Sequence, residues 1–374
     1  MRYNLSDICD YAKGKIDVVA LDEDTYISTE NMMPNKGGIT KASSLPTVAQ
    51  TQAFSTGDVL VSNIRPYFKK IWFAEYDGGC SNDVLVFRAK DGVSKRFLYY
   101  VLADDTFFDY SMATSKGTKM PRGDKTAIMK YEVPRFTYEE QVKIAGILEV
   151  LDRKIQLNTE INENLQEQAQ AIFKNLIANI QKHVPFTSVI QVLGGGTPKT
   201  SKQEYWNGEI PFFTPKDVGT PYALTTEKYL TPLGLDNCNS RLYPIDTVFL
   251  TARGTVGKVS LAGVPMAMNQ SCYALLGKNG LHPIIVYHYA LETVNALKHK
   301  ASGAVFDAII TRDFDAEYVP ELSSEQINNY VSLAEPMYAD ILNRTIENQH
   351  LAVLRDTLLP KLMGGEINVS TLDL

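Results

Sequence analysis

Side chains that can read DNA bases recur at matching places in the two halves of this 374-residue sequence. The matching sets are Arg65, Lys70 and Asn82 in the first half, and Arg253, Lys258, Asn269 and Gln270 in the second. Arginine, lysine, asparagine and glutamine can form paired hydrogen bonds with guanine and adenine edges in the major groove. A structural interpretation stays open, because repeat-equivalent residues can simply hold a fold that both halves share.

A third candidate DNA-binding loop is the basic, glycine-containing segment 115–122, Ser-Lys-Gly-Thr-Lys-Met-Pro-Arg. Lys116, Lys119 and Arg122 are suited to phosphate contacts, which give affinity and salt dependence but carry no direct sequence information. The formal net charge of −6 argues mildly against nucleic acid, yet binding needs only a local basic face. Between Arg65 and Lys130 there are 12 Lys/Arg against 8 Asp/Glu. The tyrosines and phenylalanines are expected mostly in the core.

Motifs that would indicate catalysis are absent. The segment from Gly254 to Val259 resembles a phosphate-binding loop only superficially, because its spacing is wrong and Val259 replaces the Mg²⁺-binding hydroxyl. The stretch from Gly194 to Lys199 contains a proline that would interrupt a phosphate-cradling helix start, so a turn is favoured. The five histidines show no paired spacing. Neither catalysis nor a cofactor is expected, and an enzyme with an unfamiliar site is the alternative.

Cysteine spacing and hydropathy indicate a cytoplasmic protein. The four cysteines, Cys9, Cys80, Cys238 and Cys272, form no CxxC pair, so neither a zinc site nor a disulfide framework is expected. The N-terminus shows no signal peptide. No apolar run approaches the roughly 20 residues that span a bilayer, so no membrane association is expected.

An internal repeat organises the whole sequence, with two copies of one plan offset by about 186 residues. Its anchors are residues 57–60 with 245–248, Arg65 and Lys70 with Arg253 and Lys258, 81–83 with 268–270, Gly117 with Gly303, 133–134 with 319–320, and 140–141 with 325–326. The segment from Gly117 or Gly303 to the Val-Pro pair has the same length in both copies. Chance matching would seldom produce this.

Each copy ends in a long helix with a heptad seam. In the first, at about 138–181, the seam is Ile144, Leu148, Leu151, Ile155, Leu165, Ala169, Ile172 and Leu176, with Asn158 and Asn162 in its middle. The second begins near Ser324; Pro336 should kink it or remove a hydrogen bond. Pro360 and Gly364-Gly365 should end it. Because such helices are too long to serve as the core of a small domain, they are expected to pair with each other, antiparallel, with the two asparagines fixing the register.

The remaining segments predict two small α/β (α+β) domains. Strands are expected at 59–63, 70–74, 84–88, 247–251, 258–261 and 272–276, and helices at 96–102 and 284–293. The predicted organisation is a first globular domain at 1–137, a helical spacer at 138–182, a second globular domain at 183–322 and a C-terminal helical spacer at 323–374. The fold class is thus two α/β domains separated by an antiparallel coiled coil, with a pseudo-two-fold internal repeat.

Several segments resemble the specificity subunits of type I restriction-modification systems. Residues 139–155 look like the start of that family's central helical spacer, and residues 354–367 look like its C-terminal helical region. Residues 195–199 and 204–217 are similar to the opening of its target-recognition domains. The first domain opens differently, with Tyr-Ile-Ser-Thr-Glu-Asn at 26–31.

The resemblance implies a non-catalytic subunit whose two domains each read half of a split double-stranded DNA target. Its helices would set the spacing and dock methyltransferase subunits, while a separate motor-nuclease (restriction) subunit cuts DNA. The cofactors of those partners, S-adenosylmethionine and ATP, are not expected to bind here. The full set of candidate DNA-binding residues is Arg65, Lys69, Lys70, Asn82, Lys116, Lys119, Arg122, Lys199, Lys216, Arg253, Lys258, Asn269, Gln270 and Arg312.

Two other functions stay open at the level of sequence. One is a recognition subunit that serves a different methylation or defence system. The other is a two-lobed coiled-coil scaffold that binds only proteins, which would show no salt-sensitive binding to duplex DNA.

Overall fold

The computed structural model describes residues 2–300 and 308–370. Gly303, the repeat partner of Gly117, lies outside the described residues. The chain forms two compact units. Unit 1 combines two separate segments, residues 1–155 and 350–374, whereas unit 2 is the continuous segment 156–349.

Unit 1 contains three small sheets, ordered β2-β9-β6-β7, β3-β5-β8-β4 and β1-β10. Its strands are β1 Arg2–Asn4, β2 Cys9–Tyr11, β3 Lys15–Asp17, β4 Tyr26–Ile27, β5 Gln50–Phe54, β6 Val59–Ser62, β7 Ile71–Phe73, β8 Gly78–Cys80, β9 Val84–Ala89 and β10 Glu132–Pro134. Its helices are α1 Leu5–Ile8, α2 Lys95–Ala103, α3 Asp105–Ala113, α4 Lys125–Ile128 and the first part of α5 Tyr138–Ile177.

Unit 2 repeats this plan with sheets ordered β12-β19-β16-β17-β14, β15-β13-β18 and β11-β20. Its strands are β11 His183–Pro185, β12 Ile190–Gly194, β13 Trp206–Phe213, β14 Tyr222–Ala223, β15 Tyr229–Leu230, β16 Val248–Thr251, β17 Val259–Ala262, β18 Ala267–Met268, β19 Cys272–Gly277 and β20 Tyr318–Pro320. Its helices are α6 Phe186–Val189, α7 Pro232–Asp236, α8 Pro283–Lys300, α9 Thr311–Asp315 and most of α10 Ser324–Met363.

The internal repeat is confirmed at the level of topology. Strand order β2-β9-β6-β7 in unit 1 matches β12-β19-β16-β17 in unit 2, and the pair β1-β10 matches β11-β20. The six predicted strands and two predicted helices all form, within two residues at most ends and with α8 longer than expected. Local alternation and flanking turn residues were therefore enough to locate the central sheet of each unit.

Strand β6 lies between β9 and β7 in its sheet, and both of its faces are buried. Val59 and Val61 pack in the cluster that holds α2 and α5, whereas Leu60 packs in a second cluster with Phe54 and Trp72. In unit 2, Val248 and Leu250 of β16 face α8 in the same manner, and Phe249 faces the opposite cluster. The carboxyl ends of β6 and β16 are consequently rigid supports for the loops that follow them.

The two long helices pair antiparallel within each unit, as the seam predicted. In unit 1, Asp152 of α5 accepts a hydrogen bond from Arg355 of α10 at 2.8 Å, and Leu148 shares a buried cluster with Leu359. Asp152 also accepts a hydrogen bond from the Tyr100 hydroxyl of α2 at 2.8 Å. The helix pair and the globular part of unit 1 are thus tied by one polar junction set in an apolar core.

In unit 2, the buried asparagines of α5 face α10. The Asn158 amide nitrogen donates to Glu347 at 2.7 Å and to Asn348 at 2.9 Å, and its oxygen accepts from Arg344 at 3.1 Å. Asn162 makes only 3.4 Å contacts through its nitrogen, and its oxygen is buried without a hydrogen-bond partner among the described residues. The two asparagines therefore contribute very differently to the seam.

Helix α10 runs without interruption from Ser324 to Met363, so neither Pro336 nor Pro360 ends it. The expectation that Pro360 terminates the helix was wrong, because the helix continues for three residues beyond it. Its end is set by the glycines: Gly364 donates to the Pro360 carbonyl at 2.7 Å, and Gly365 takes the left-handed conformation with φ of +73°. A left-handed residue after the last turn is a common helix terminus, and glycine adopts it without strain.

A buried aromatic junction holds α8 against both long helices in unit 2. His288 stacks on Phe173 with ring centroids 4.6 Å apart. Its Nε2 atom lies 2.6 Å from the Tyr330 hydroxyl and 3.1 Å from the Tyr338 hydroxyl. Burial lowers the pKa of His288 to about 3, so the imidazole is neutral at physiological pH.

Substituting Asn158 with leucine is expected to lower the free energy of unfolding by about 2 kcal/mol, because three buried hydrogen bonds lose one partner. Asn162→Leu is the matched control, and its effect should be smaller or even stabilising, since it removes a buried unpaired oxygen. Urea denaturation and light scattering of the full chain measure stability and oligomeric state. Equal behaviour of the two variants, or a doubly substituted chain with unchanged stability, oligomeric state and DNA specificity, would contradict a register role for these residues.

His288→Gln is expected to reduce the loss of stability in acid. The pKa of His288 in the folded chain lies below its unfolded value of about 6.5, so the unfolded state binds the proton first as pH falls. Stability that is fully present above about pH 6.5 is then lost toward about pH 3, at up to about 1.4 kcal/mol per pH unit. Glutamine keeps polar atoms for Tyr330 and Tyr338 but does not titrate. Urea midpoints at about pH 7 and about pH 4 test this, with the exposed His183→Gln as the control that should keep the wild-type pH dependence.

Candidate nucleic-acid interface

Three loops of unit 1 meet at the carboxyl end of β6. The backbone nitrogen of Asn63 donates to Asp83 at 2.8 Å, which joins the loop after β6 to the loop before β9. The nitrogen of Arg65 donates to Pro121 at 2.8 Å, which joins it to the 115–122 segment. Lys116 and Arg122 exchange two backbone hydrogen bonds of 2.9 Å and close that segment into a hairpin-like loop. The structure thus brings Arg65, Asn82, Lys116 and Arg122 into one region.

The basic side chains of the 115–122 loop differ in their partners. Arg122 forms an ion pair with Asp83 at 3.0 Å, and Lys116 forms one with Asp124 at 2.5 Å. The hydrogen bond from Lys116 is the main reason that the pKa of Asp124 falls to about 2. Lys119, near the tip, is exposed and forms no ion pair or hydrogen bond within residues 2–300 and 308–370. Lys119 is therefore the cation of this loop most available to an external anion.

Residues 65–70 form a tight turn around a short 3-10 helix, Pro66–Phe68. Arg65 and Lys69 flank it, both in the left-handed region with φ of +50°. The Nε atom of Arg65 is buried and has no hydrogen-bond partner in the described part of the chain. Lys69 pairs with Asp105 at 2.8 Å, and Lys70 donates to the Thr29 carbonyl at 2.7 Å. Of the three basic residues here, Arg65 alone has a buried side-chain nitrogen without a hydrogen-bond partner among the described residues.

Asn82 is exposed, on the loop between β8 and β9. The neighbouring Ser81 hydroxyl accepts the hydrogen bond from the Asp83 nitrogen that shapes this turn, at 3.3 Å. In unit 2 the corresponding turn is shaped by Asn269 itself, whose side-chain oxygen accepts from the Ser271 nitrogen at 3.0 Å. Val84 and Cys272 donate to the carbonyls of Ser81 and Asn269, so Asn269 occupies the position of Ser81. Asn82 therefore corresponds to the exposed Gln270, one residue away from the pairing expected from the sequence.

Four loops of unit 2 converge at the carboxyl end of β16. Arg253 donates its backbone nitrogen to Ser271 at 3.2 Å, and Asn269 donates to Phe213 at 3.0 Å. The Thr197 hydroxyl donates to the Gln270 side-chain oxygen, and the Thr255 hydroxyl donates to the Pro215 carbonyl at 3.2 Å. The loops that carry Lys199, Lys216, Arg253 and the Asn269-Gln270 pair are thereby joined.

Gly195 serves this convergence, and the glycines at 194–196 do not form a phosphate cradle. No helix begins after β12, where residues 195–199 form a loop. A side chain at Gly195 would place its Cβ 2.2 Å from the Asn269 carbonyl oxygen, so only glycine allows the two loops to approach so closely.

The basic candidate residues of unit 2 differ in their exposure and in their partners. Arg253, Lys199 and Lys258 are exposed. Lys216 pairs with Glu227 at 3.0 Å, and the hydrogen bond from that lysine lowers the pKa of Glu227. Arg312 is exposed on α9, which is anchored by Phe314 stacking on Phe186. Within the described residues, the Arg312 side chain forms no hydrogen bond or ion pair with the converging loops.

Two features of this region were missed in the sequence. Asn63 is buried, with a side-chain oxygen that lacks a partner within the described residues. Tyr67 and Phe68 are exposed, whereas most of the tyrosines and phenylalanines are expected in the core. The sequence signal for this exposure was Pro66 together with the basic residues on either side. Proline favours a turn, and basic residues favour the surface.

Cysteine and metal chemistry find no support in residues 2–300 and 308–370. No group of three or more His, Cys, Asp or Glu side chains there could hold a metal ion. Burial raises the pKa of Cys9, Cys80 and Cys272 to about 12, so these thiols stay protonated and are poor nucleophiles. Within the same residues, no helix is long and apolar enough to cross a membrane.

Comparisons with known proteins agree with this architecture. The model of the type I restriction modification DNA specificity domain matches residues 1–167 and again 182–326. The HindI specificity subunit of Haemophilus influenzae is 23% identical, over 98% of this chain and 99% of the relative. The MjaIX specificity subunit of Methanocaldococcus jannaschii is also 23% identical, over 76% of this chain and 71% of the relative.

A solved structure shares the fold. The S subunit of a type I restriction-modification system from M. genitalium superposes with a TM-score of 0.59 at 15% identity, covering 97% of this chain and 96% of that one. Because the family model matches both halves of the repeat and most of the sequence, the chain belongs to the DNA specificity subunits of type I restriction-modification systems, the non-catalytic components that recognise DNA sequence.

Proposed function

We propose that this specificity subunit reads a bipartite DNA target, one half with each globular domain. The first recognition domain would be residues 1–137 and the second residues 183–322. The helical segments 138–182 and 323–374 would set the spacing between the halves and dock methyltransferase subunits. A restriction subunit would join the same complex and act on unmodified DNA.

The observation that carries the proposal is the convergence of loops at equivalent strand ends in the two units. Loops after β6 and β16 each meet neighbouring loops that carry arginine, lysine, asparagine or glutamine. Two similar frames with different side chains suit the reading of two different half-sites, because discrimination depends on donor and acceptor positions at the base edges.

The contacts within the protein divide the candidates by role. Exposed Arg253 and Asn82 and half-buried Arg65 are proposed to contact base edges. Asn269 is better suited to a structural role, since its oxygen already supports a turn. The residues proposed for phosphate contacts or support of the binding surface are Lys69, Lys70, Lys116, Lys119, Arg122, Lys199, Lys216, Lys258, Gln270 and Arg312.

Exposed apolar side chains on the long helices support the docking of partner subunits. In unit 1, Val150 of α5 and Val353 of α10 are 68% and 61% exposed; in unit 2, Leu333 of α10 is 54% exposed. Apolar groups on a long polar helix surface are typical of a protein-binding face when they occur in groups. A scaffold that binds only proteins would share these faces, but it would not need the converging basic loops.

Co-expression of the chain with its candidate methyltransferase subunits tests the function directly. Single-molecule sequencing of the host genome should show one split motif, methylated at adenine on both strands, that disappears when the chain is omitted. A stable complex without methylation would indicate an inactive or mismatched partner. No complex and no salt-sensitive DNA binding would favour the scaffold.

Lys119→Ala is expected to weaken binding of that complex to target and non-target duplexes by a similar factor, because a phosphate contact is independent of sequence. The slope of log K against log salt should fall by about 1. Lys130→Ala is the matched control, since Lys130 is also exposed but lies outside the three loops. A loss confined to the target duplex, or an equal loss in the control, would contradict the phosphate role.

A further inference from the structure

Two aromatic rings stand exposed at the tip of the turn after β6. Tyr67 is 49% exposed and Phe68 is 37% exposed, and their ring centroids lie 4.7 Å apart. Aromatic side chains of this size are the main contributors to apolar burial in cores and interfaces. Two adjacent exposed rings within a basic loop region therefore indicate a surface that becomes covered by a partner.

The turn is held in place by a second loop at the expense of backbone strain. Asn35 and Lys36 donate their backbone nitrogens to the carbonyls of Phe68 and Lys69, at 2.8 and 2.9 Å. Of the seven non-glycine residues with positive φ in the described chain, four lie in these two loops: Asn35, Lys36, Arg65 and Lys69. Strain of this kind persists where the surroundings over-determine it, and it concentrates at functional sites.

A shared carboxylate completes this bracing. Asp105 of α3 pairs with Lys69 at 2.8 Å and with Lys36 at 2.9 Å. Two lysines on one carboxylate leave a net positive charge beside the aromatic tip, and the Lys70 ammonium lies 5.8 Å from the Phe68 ring centroid. A fixed, positively charged setting favours a polyanion over an apolar protein face as the partner of these rings.

The second unit provides an internal comparison. Residues 253–258, Arg-Gly-Thr-Val-Gly-Lys, occupy the place of residues 65–70. Gly257 is left-handed with φ of +75° where the first unit has Lys69, so glycine satisfies this backbone position without strain. Thr255 donates to the Pro215 carbonyl and Val256 packs against the core of unit 2, so this turn is folded onto its own unit. The outward aromatic tip is thus particular to the first unit.

We propose that Tyr67 and Phe68 are specificity-determining residues of the first recognition domain, which contact the C5-methyl group of a thymine in the major groove. This inference rests on the proposed DNA-binding function. The thymine methyl is the one apolar group that a base pair of unmodified DNA presents in the major groove, and apolar side chains recognise it. Arg65, next to this tip, would supply the hydrogen bonds that place the rings at the base edges.

Duplexes in which deoxyuridine replaces each thymine of the methylated motif in turn, in both halves, test the inference. Deoxyuridine lacks only the methyl group. The complex of the full chain with methyltransferase subunits should lose about fourfold in affinity at one or two positions, the amount expected when one methyl group leaves an apolar contact. Competition binding at fixed salt measures this loss.

The matched variant is Tyr67→Thr with Phe68→Val, which introduces the residues that the second unit carries and suits the same turn. It should bind thymine and uracil duplexes equally at the sensitive positions and retain the remaining sequence preference. Tyr318→Ala removes another exposed aromatic ring, 61% exposed on β20, and should keep the full uracil effect. Circular dichroism and assembly with the methyltransferase subunits establish that each variant is folded.

The outcomes separate this inference from the function on which it rests. A wild-type complex that prefers its motif but shows no uracil effect, or one whose uracil effect survives in the double variant, overturns the inference and leaves the proposed function standing. An equal loss of affinity by the double variant on every duplex also overturns it, since that result indicates backbone contact. A wild-type complex without preference for its motif contradicts the proposed function and the inference together.

Discussion

The antiparallel pairing of α5 with α10 is the interaction on which each unit depends. In unit 1 the core around β6 includes Ile144 and Leu148 of α5 together with Leu359 and Leu362 of α10. In unit 2 the core includes Phe173 of α5 and several residues of α10. In each unit one buried cluster joins the central sheet, α2 or α8, and both long helices, so closing that cluster requires contacts between residues far apart in sequence. The helix pair is thus part of the core of each unit as well as a spacer.

The two units attach the same helix pair with different chemistry. Unit 1 uses a polar junction in which Tyr100 and Arg355 both bond to Asp152. Unit 2 uses the neutral junction of His288 with Tyr330 and Tyr338, stacked on Phe173. The half-buried Asp152 carboxylate is stabilised by its partners because desolvation penalises an unpaired charge. The buried His288 imidazole, in contrast, is stable only in its neutral form. Both units therefore attach the helix pair to the globular part at a corresponding place, but with different side chains.

In the converging loops too, the backbone arrangement is shared by the two units while the side chains differ. Backbone hydrogen bonds at the ends of β6 and β16 hold the frame, and these bonds are indifferent to most side chains. The side chains on this frame can then differ: Ser81 shapes the turn in one unit and Asn269 shapes it in the other, with Asn82 and Gln270 exposed beside them. A specificity subunit benefits from such a frame, because the two halves of a target can change independently while the fold is retained.

Patterns along the sequence were sufficient to identify the internal repeat, the two long helices, the central strands of each sheet and the family. These follow from periodicity and spacing, which reflect local backbone preferences and one-sided burial. The sequence also located the three loops of the first unit, but it could not rank their residues. From the sequence, Lys119 could not be distinguished as a DNA-binding cation from Lys69, Lys116 and Arg122. In the structure, each of those three has a carboxylate partner elsewhere in the sequence. The tertiary structure was needed to show which cations have an anionic partner, where the backbone is strained and which aromatic rings are exposed. These properties arise from contacts between distant segments, which no local sequence pattern encodes.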